Sequence, residues 1–272
     1  MPYLAKILLY PIKSLDGVEV EQAKVLASGA LEYDREFAII NKQGKFVNGK
    51  SNEKIHLLRA FYASSFGTSQ FGISDRTISL QIPSQKSQQV FHLDKERQAL
   101  AATLSDFFGF AVMLEQNSLM GFPDDRNSPG PTVISTASLI EVASWFPGSS
   151  VDEIRRRMRA NIEIGGVEPF WEDRLFSEQG DLLSFQIGNV CFFGVNPCQR
   201  CIVPTRNPNS GEAYPNFQKI FVQKRQATLP SWVSSSHFNH FYRLSVNTRL
   251  STSEAGKTLQ IGDKIEILPS KS

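Results

Sequence analysis

Hydrophobic and polar positions alternate over short stretches along most of the chain. Val18, Val20 and Ala23 stand among Glu19, Glu21 and Lys24, close to the period of two of a half-buried strand. Phe37-Ala38-Ile39-Ile40 runs through a Gly-containing segment, 41–45, into Phe46-Val47, which predicts a hairpin. Residues 71–82 and 89–93 read as further short strands, with a Ser-, Gly- and Thr-rich loop over 64–70. A helix is predicted over 95–108, with Asp94 as its cap and Leu100, Leu104, Phe107 and Phe108 at helical spacing. The stretch 121–131, dense in Pro, Gly, Asp and Asn, is the clearest break in the chain, a linker or a long functional loop. Ser138-Leu139-Ile140-Glu141 and Ser150-Val151-Asp152-Glu153 both fit the capping box and predict two short helices, the first stopped by Pro147-Gly148. The second carries Arg155, Arg156 and Arg157, which with Arg159 form a basic cluster; the run 155–157 is expected to be a solvated helix face. Asn161-Ile162-Glu163-Ile164, 183–187, 190–195 and 241–246 read as strands, and 259–268 as a terminal hairpin turning at Gly262-Asp263. Many short strands, few helices and no internal repeat predict a mainly β, α+β chain of barrels or sandwiches.

Composition narrows the class. The 272 residues suit one large domain or two modest ones, and 41% hydrophobic with 21% charged residues allows a real core. A net charge of +2 argues against a general nucleic-acid binder. The early apolar run Ile7-Leu8-Leu9 is broken by Tyr10-Pro11 and Lys13, so no secretory signal is read, and no stretch has the length of a membrane span. Three cysteines do not make a disulfide framework, and a cytoplasmic chain with reduced thiols is expected.

The chemistry concentrates in Pro197-Cys198-Gln199-Arg200-Cys201-Ile202-Val203-Pro204-Thr205-Arg206. Thiolates are ligands for soft metals, and nearby cations favour the thiolate. The pair is compatible with half a zinc site, with His237 and His240 as distant candidates at unusual spacing, or with a redox pair, although Pro204 and Pro208 leave little room for the helix such pairs begin. An iron–sulfur cluster would need a fourth ligand that three cysteines cannot give. Two passive thiols, or a thiolate beside guanidinium groups holding a metal carried by an anionic organic ligand, complete the alternatives. Cys191, inside Val190-Cys191-Phe192-Phe193, is expected simply to pack in the core.

The cysteine segment, running on through Asn207-Pro208-Asn209-Ser210-Gly211, resembles the core motif of the MOSC domain, named after the C-terminal domain of molybdenum-cofactor sulfurase. Tyr10-Pro11-Ile12-Lys13-Ser14-Leu15-Asp16-Gly17-Val18, followed by Tyr33-Asp34-Arg35-Glu36-Phe37, is similar to the β-barrel domain that precedes MOSC in many proteins. Arg157-Met158-Arg159-Ala160-Asn161-Ile162 resembles a third shared block, and the blocks keep their order over nearly the whole chain. The resemblance implies two β-barrel-like domains, over 1–120 and 121–272. The chain is similar in this respect to the mitochondrial amidoxime-reducing components and their bacterial relatives, in which the domain pair binds a molybdenum cofactor. Carried over, Cys201 becomes the molybdenum ligand and catalytic centre. Lys13 and Ser14 become the phosphate-contacting pair, and Arg35, Arg159, Asn161, Arg200 and Thr205 further cofactor contacts. Such enzymes reduce N-hydroxylated small molecules with electrons from an external ferredoxin-, flavodoxin- or cytochrome-type protein; neither nucleic acid nor membrane is implied as a partner. A sulfur carrier holding a cysteine persulfide, or a non-catalytic cofactor-binding module, is the alternative. Many relatives have Asp where this chain has Asn207 or Asn209, which bears on substrate preference. Pyridoxal phosphate enters only by association with the sulfurase's other domain, since no residue pattern here forms its Schiff base.

Overall fold

The computed structural model describes residues 1–63, 66, 69–70, 73–74, 76–83, 85–178, 181–233 and 235–269. The strands are β1 (Tyr3–Leu9), β2 (Val18–Val20), β3 (Gln22–Lys24), β4 (Phe37–Asn41), β5 (Arg59–Tyr62), β6 (Ser69–Gln70), β7 (Ile73–Ser74), β8 (Thr77–Gln81), β9 (Gln89–His92), β10 (Val112–Gln116), β11 (Val133–Ser135), β12 (Ile162–Gly165), β13 (Leu183–Ile187), β14 (Val190–Gln199), β15 (Arg243–Arg249), β16 (Thr258–Gln260) and β17 (Ile265–Ile267). The α-helices among the described residues are α1 (Arg97–Phe108), α2 (Thr136–Ser144), α3 (Val151–Met158) and α4 (Phe217–Ala227). The protein is mainly β with a few helices, as its alternating pattern predicts. Residues 64, 65, 67, 68, 71, 72 and 75, within the loop and strand expected over 64–82, lie outside the described residues.

One eight-stranded sheet organises the molecule, in the order β17-β13-β14-β15-β11-β12-β1-β2. Beta-branched and aromatic residues meet across it: Ile7 faces Ile162, Val133 faces Ile162 and Phe185 faces Phe192. A bridge between Tyr3 and Lys264, with Leu4 N–H bonded to the Asp263 carbonyl at 2.8 Å, brings β1 back against the segment leading into β17 and curls the sheet upon itself. Strands early in the chain are therefore completed by strands late in it: β1 lies beside β12, and β3 beside β16. The predicted hairpin at 37–47 forms, with Asn41 Oδ1 accepting from the Gln43 and Lys45 N–H groups at 3.0 Å across the turn.

A large apolar core runs through the sheets, and a second cluster packs α2, α3 and α4 behind β15. In that cluster Phe146 stacks on Phe217 at 4.1 Å between centroids. Gly194 lets β14 cross close to the backbone of Leu175, because a Cβ there would lie 1.5 Å from the Leu175 carbonyl oxygen.

Several local expectations need correction. Helix α1 starts at Arg97 and is not capped by Asp94, whose carboxylate instead pairs with Arg76 at 3.2 Å. Helix α2 begins before the predicted box: Ser135 caps it, and Ser138 lies inside, its hydroxyl bonded to the buried Glu172. Ser150 does cap α3, but Glu153 turns to Ser149 and Arg157 rather than back to the cap. Residues 259–268 are not a hairpin. The turn at Gly262 exists, with Gly262 at φ +94°, but β16 pairs with β3 and β17 with β13. Cys191 sits on the half-buried face of β14, while its neighbours Val190 and Phe192 face the core. The run 155–157 is not solvated: Arg157 is buried at 2% exposure, and all three side chains are ion-paired.

Candidate functional site

A cavity of about 550 Å³ opens where the N-terminal strands meet the loops after β14 and α3. Its walls include Lys13, Ser14, Arg35, Arg159, Asn161, Arg200 and Cys201, seven of the eight residues that the sequence singles out. Thr205 is not brought to the wall. It is buried behind it, and its hydroxyl donates to the Ile202 carbonyl at 2.7 Å, closing a 3-10 turn over Val203–Thr205.

The backbone that carries these residues is strained in a consistent way. Ser14, Arg35 and Arg159 all have positive φ, at 76°, 49° and 55°. Each such non-glycine residue costs roughly 1–2 kcal/mol, and such costs persist where the surroundings fix the conformation. Arg159 takes the left-handed position that ends α3, its N–H bonded to the Arg155 carbonyl, where glycine is the usual choice. That turn aims its guanidinium back over Tyr10. Arg35 follows Asp34, pairs with its carboxylate, and faces the same ring at 5.2 Å.

Asn161 spends its amide on scaffold. Its Oδ1 accepts from Arg35 Nη1 and from the Thr132 N–H, both at 3.3 Å, and its Nδ2 donates to the Leu8 carbonyl at 3.0 Å. It therefore holds Arg35. Lys13 is buried at 9% exposure and donates to the Phe122 carbonyl at 2.8 Å and to Asp124 at 2.6 Å. The 121–131 stretch is thus a loop on the cavity wall, anchored by Lys13. Gly121, at φ +66°, passes so close to Asp34 that a Cβ would lie 2.5 Å from that residue's carbonyl oxygen.

The cysteine segment follows two irregularities in the β14–β15 ladder, between Gly194 and Asn196 and between Pro197 and Gln199, which redirect the chain at its end. Arg200 Nη1 donates to Cys198 Sγ at 3.2 Å and to Ser245 Oγ at 3.3 Å, and Nη2 donates to the Met158 carbonyl. The loop beyond Cys201 is tied down by α3. Arg157 donates to the Pro204 and Arg206 carbonyls at 2.8 and 2.6 Å, and Arg156 to Asn209 at 2.7 Å and Asp16 at 3.0 Å. Arg206 pairs with Glu53 at 3.0 Å.

The cavity is strongly electropositive. Among the described residues, ten Lys and Arg line it against four Asp, in a chain whose net charge is only +2. Burial works against the charge of Lys13, and Arg35 and Arg159 add to that, while Asp124 opposes it. His56, also on the wall, is pushed down to about 4 by burial and by Arg206 and Arg159, so it is neutral at ordinary pH. Most telling are Arg159 Nη2, Arg200 Nε and Arg243 Nε: each is buried and has no hydrogen-bond partner among the described residues. Buried N–H groups are almost always satisfied, so these three call for an acceptor. No three His, Cys, Asp or Glu side chains converge among the described residues. A metal at the two cysteines would thus take most of its ligands from something other than the protein.

Sequence reasoning missed Arg243, His56 and the Asp16–Arg156–Arg59 network, in which Arg59 also reaches Asp16 at 3.0 Å. Arg243 was hidden inside an apolar strand run, and His56 carried no motif. The capping serine ahead of α3 signalled the helix but not which face would dock.

Comparison with known proteins agrees with this architecture. The MOSC N-terminal beta barrel domain model matches residues 1–112, and the MOSC domain model matches residues 132–266. The chain is similar to proteins named molybdenum cofactor sulfurase: 24% identical over 233 residues to that of Drosophila mojavensis, 27% over 247 residues to that of Drosophila persimilis, and 25% over 256 residues to the human protein. These matches cover 79%, 79% and 80% of this chain but only 29%, 30% and 28% of theirs, so the chain spans under a third of these relatives' length. With both domain models matched in order along a mainly β fold, the chain belongs to the MOSC family, its MOSC domain preceded by a MOSC N-terminal beta barrel.

Proposed function

We propose that the cavity receives a molybdenum cofactor of the molybdopterin type, with Cys201 as the protein's ligand to the metal. The chain is then a reductase of N-hydroxylated or related oxygen-bearing small molecules. The observation that carries this reading is the pair of unpartnered, buried guanidinium N–H groups of Arg159 and Arg200 on a cavity whose wall also bears Cys198 and Cys201. They fit an anionic organic group that brings its own metal donors. The names of the relatives point to the same cofactor.

When bound, such a group supplies a two-electron redox centre. The chain supplies the rest. Lys13, Arg35 and Arg159 neutralise the phosphate, and at 4 Å each charge pair is worth about 4 kcal/mol at the effective dielectric of a protein surface. Cys201 anchors the metal, and Arg200 Nη1 donates to the neighbouring Cys198 sulfur, which fixes that guanidinium beside the metal-binding loop. Reducing an N–O bond consumes two electrons and two protons and releases water. The electrons come from a separate ferredoxin-, flavodoxin- or cytochrome-type partner. The test is elemental analysis and cofactor extraction on protein from a molybdopterin-synthesising host, followed by assay with an artificial reductant. About one molybdenum per chain, lost in Cys201→Ser, is expected, and a folded preparation without molybdenum overturns the reading.

A second reading, a sulfur carrier whose Cys201 takes sulfane sulfur by exchange from an external persulfide donor, draws on Cys198 and Cys201 standing together on the cavity wall. A mass gain of one sulfur atom on Cys201 without bound molybdenum would establish it instead.

A further inference from the structure

We propose that a second cleft, which shares wall residues with the cysteine cavity, is a recognition subsite for a carboxylate carried by the substrate. This rests on reading the main cavity as a reductase site. The cleft has a volume of about 420 Å³ and shares two wall residues, Asn196 and Arg243, with the main cavity. In this proposal a molecule whose reacting end lies near Cys201 would extend past Arg243, the shared wall, into the cleft.

The cleft is built to receive an anion. Arg243, Arg249 and His237 line it against Asp181 as the acid among its described residues. Arg243 is clamped on both sides: Nη1 donates to the Pro197 carbonyl and Nη2 to Asn239 Oδ1, each at 3.0 Å. That leaves its Nε buried and without a partner. The Asn196 oxygen is already occupied by Asn247 Nδ2 at 3.0 Å, which leaves the Asn196 amide nitrogen as a donor. Arg249 is fixed through its Nε to the Asn127 carbonyl at 2.6 Å, on the loop that walls the main cavity. Planar, preset guanidinium groups match a carboxylate better than a neutral group. Leu182 and Val195 give the cleft an apolar flank suited to a hydrocarbon spacer. Val195 and Asn196 come from β14 and Arg243 and Arg249 from β15, so the subsite is built largely on paired strands.

The test uses matched pairs. Phenylhydroxylamine and 4-carboxyphenylhydroxylamine are compared as substrates of the holoenzyme, and aniline and 4-aminobenzoate as ligands by calorimetry. A charged hydrogen-bonded contact predicts a preference of about tenfold for the carboxylated member of each pair. Arg249→Gln should lower that ratio at least severalfold through KM, and Arg249→Lys should retain most of it. Equal binding of aniline and 4-aminobenzoate, or a preference unchanged in Arg249→Gln of native circular dichroism, overturns the subsite. Carboxylate-selective binding that depends on Arg249 supports it even where neither hydroxylamine is reduced; that second result would overturn the reductase reading alone.

Discussion

The guanidinium of Arg159 lies 4.2 Å from the centroid of the Tyr10 ring, and among the described residues no carboxylate pairs with it. The same ring faces Arg35 at 5.2 Å. Two like charges are thus held side by side by an aromatic face. Burial pushes the Tyr10 hydroxyl up to about 12, so the ring stays neutral. Desolvated cation–π contacts are worth about 2 kcal/mol. Tyr10→Leu should weaken pyrophosphate binding, read by calorimetry, by about tenfold or more. Tyr10→Phe should bind nearly as the parent does, because the hydroxyl makes only a long 3.3 Å bond to the Ala160 carbonyl.

Arg157 secures the loop that displays Cys201. It is buried, pairs with Glu153 at 2.6 Å, and donates to two carbonyls of the segment 204–206. Arg157→Met leaves those carbonyls without their donor and takes from Glu153 its ion-pair partner. A loss of about 3 kcal/mol in denaturant unfolding is expected. Amide exchange at Tyr214, whose N–H bonds to the Thr205 carbonyl, should quicken by more than that of the core strands.

Two groups, the half-buried His56 and the buried Glu172, tilt the pH dependence of stability in opposite directions. His56, held near 4 against its ordinary 6.5 by burial and neighbouring arginines, takes up a proton more readily when unfolded. Its contribution is complete above pH 6.5 and is lost as pH falls toward 4. Glu172, pushed up from 4.5 to about 7 by burial and by Asp173, keeps its proton in the folded state. Its contribution is complete below pH 4.5 and is lost as pH rises through 7. Midpoints of urea unfolding across this range should separate them. His56→Gln should remove the acid-side decline, worth on the order of 1 kcal/mol after solvent screening. Glu172→Gln should remove the decline toward neutral pH.

Ser14 trades stability for placement. At φ 76° it occupies a conformation that glycine adopts freely. Ser14→Gly should raise stability by about 0.5 kcal/mol, relief of strain being partly offset by a more disordered unfolded chain. The same change should reduce cofactor retention, measured as phosphate or molybdenum per chain, because the hydroxyl at the cavity wall is gone.

How much of this was legible in the sequence differs by feature. Alternation located most strands because side-chain period is a local property. The distant blocks around Lys13, Arg35, Arg159 and Cys201 pointed to one site, and the structure gathers them on one cavity. What local pattern could not show was which partner each element meets. The α3 arginines look solvated in sequence, yet the docking of α3 against the 204–209 loop buries Arg157, and β12 brings Glu163 to Arg155. The Gly262 turn looks like a hairpin, yet its flanking strands are claimed by β3 and β13. Arg243 gains meaning only beside Cys198 and Asn239, which the fold brings to it.

The pairing of β1 with β12 has a consequence for synthesis on the ribosome. Tyr3–Leu9 can pair with β2 soon after it is made, but its partner on the other edge, β12, comes about 150 residues later, roughly ten to thirty seconds at ordinary elongation rates. Throughout that interval the largely apolar segment Tyr-Leu-Ala-Lys-Ile-Leu-Leu keeps one edge unpaired. Nascent chains stalled before residue 162 should therefore be the ones that chaperones hold and proteases cut.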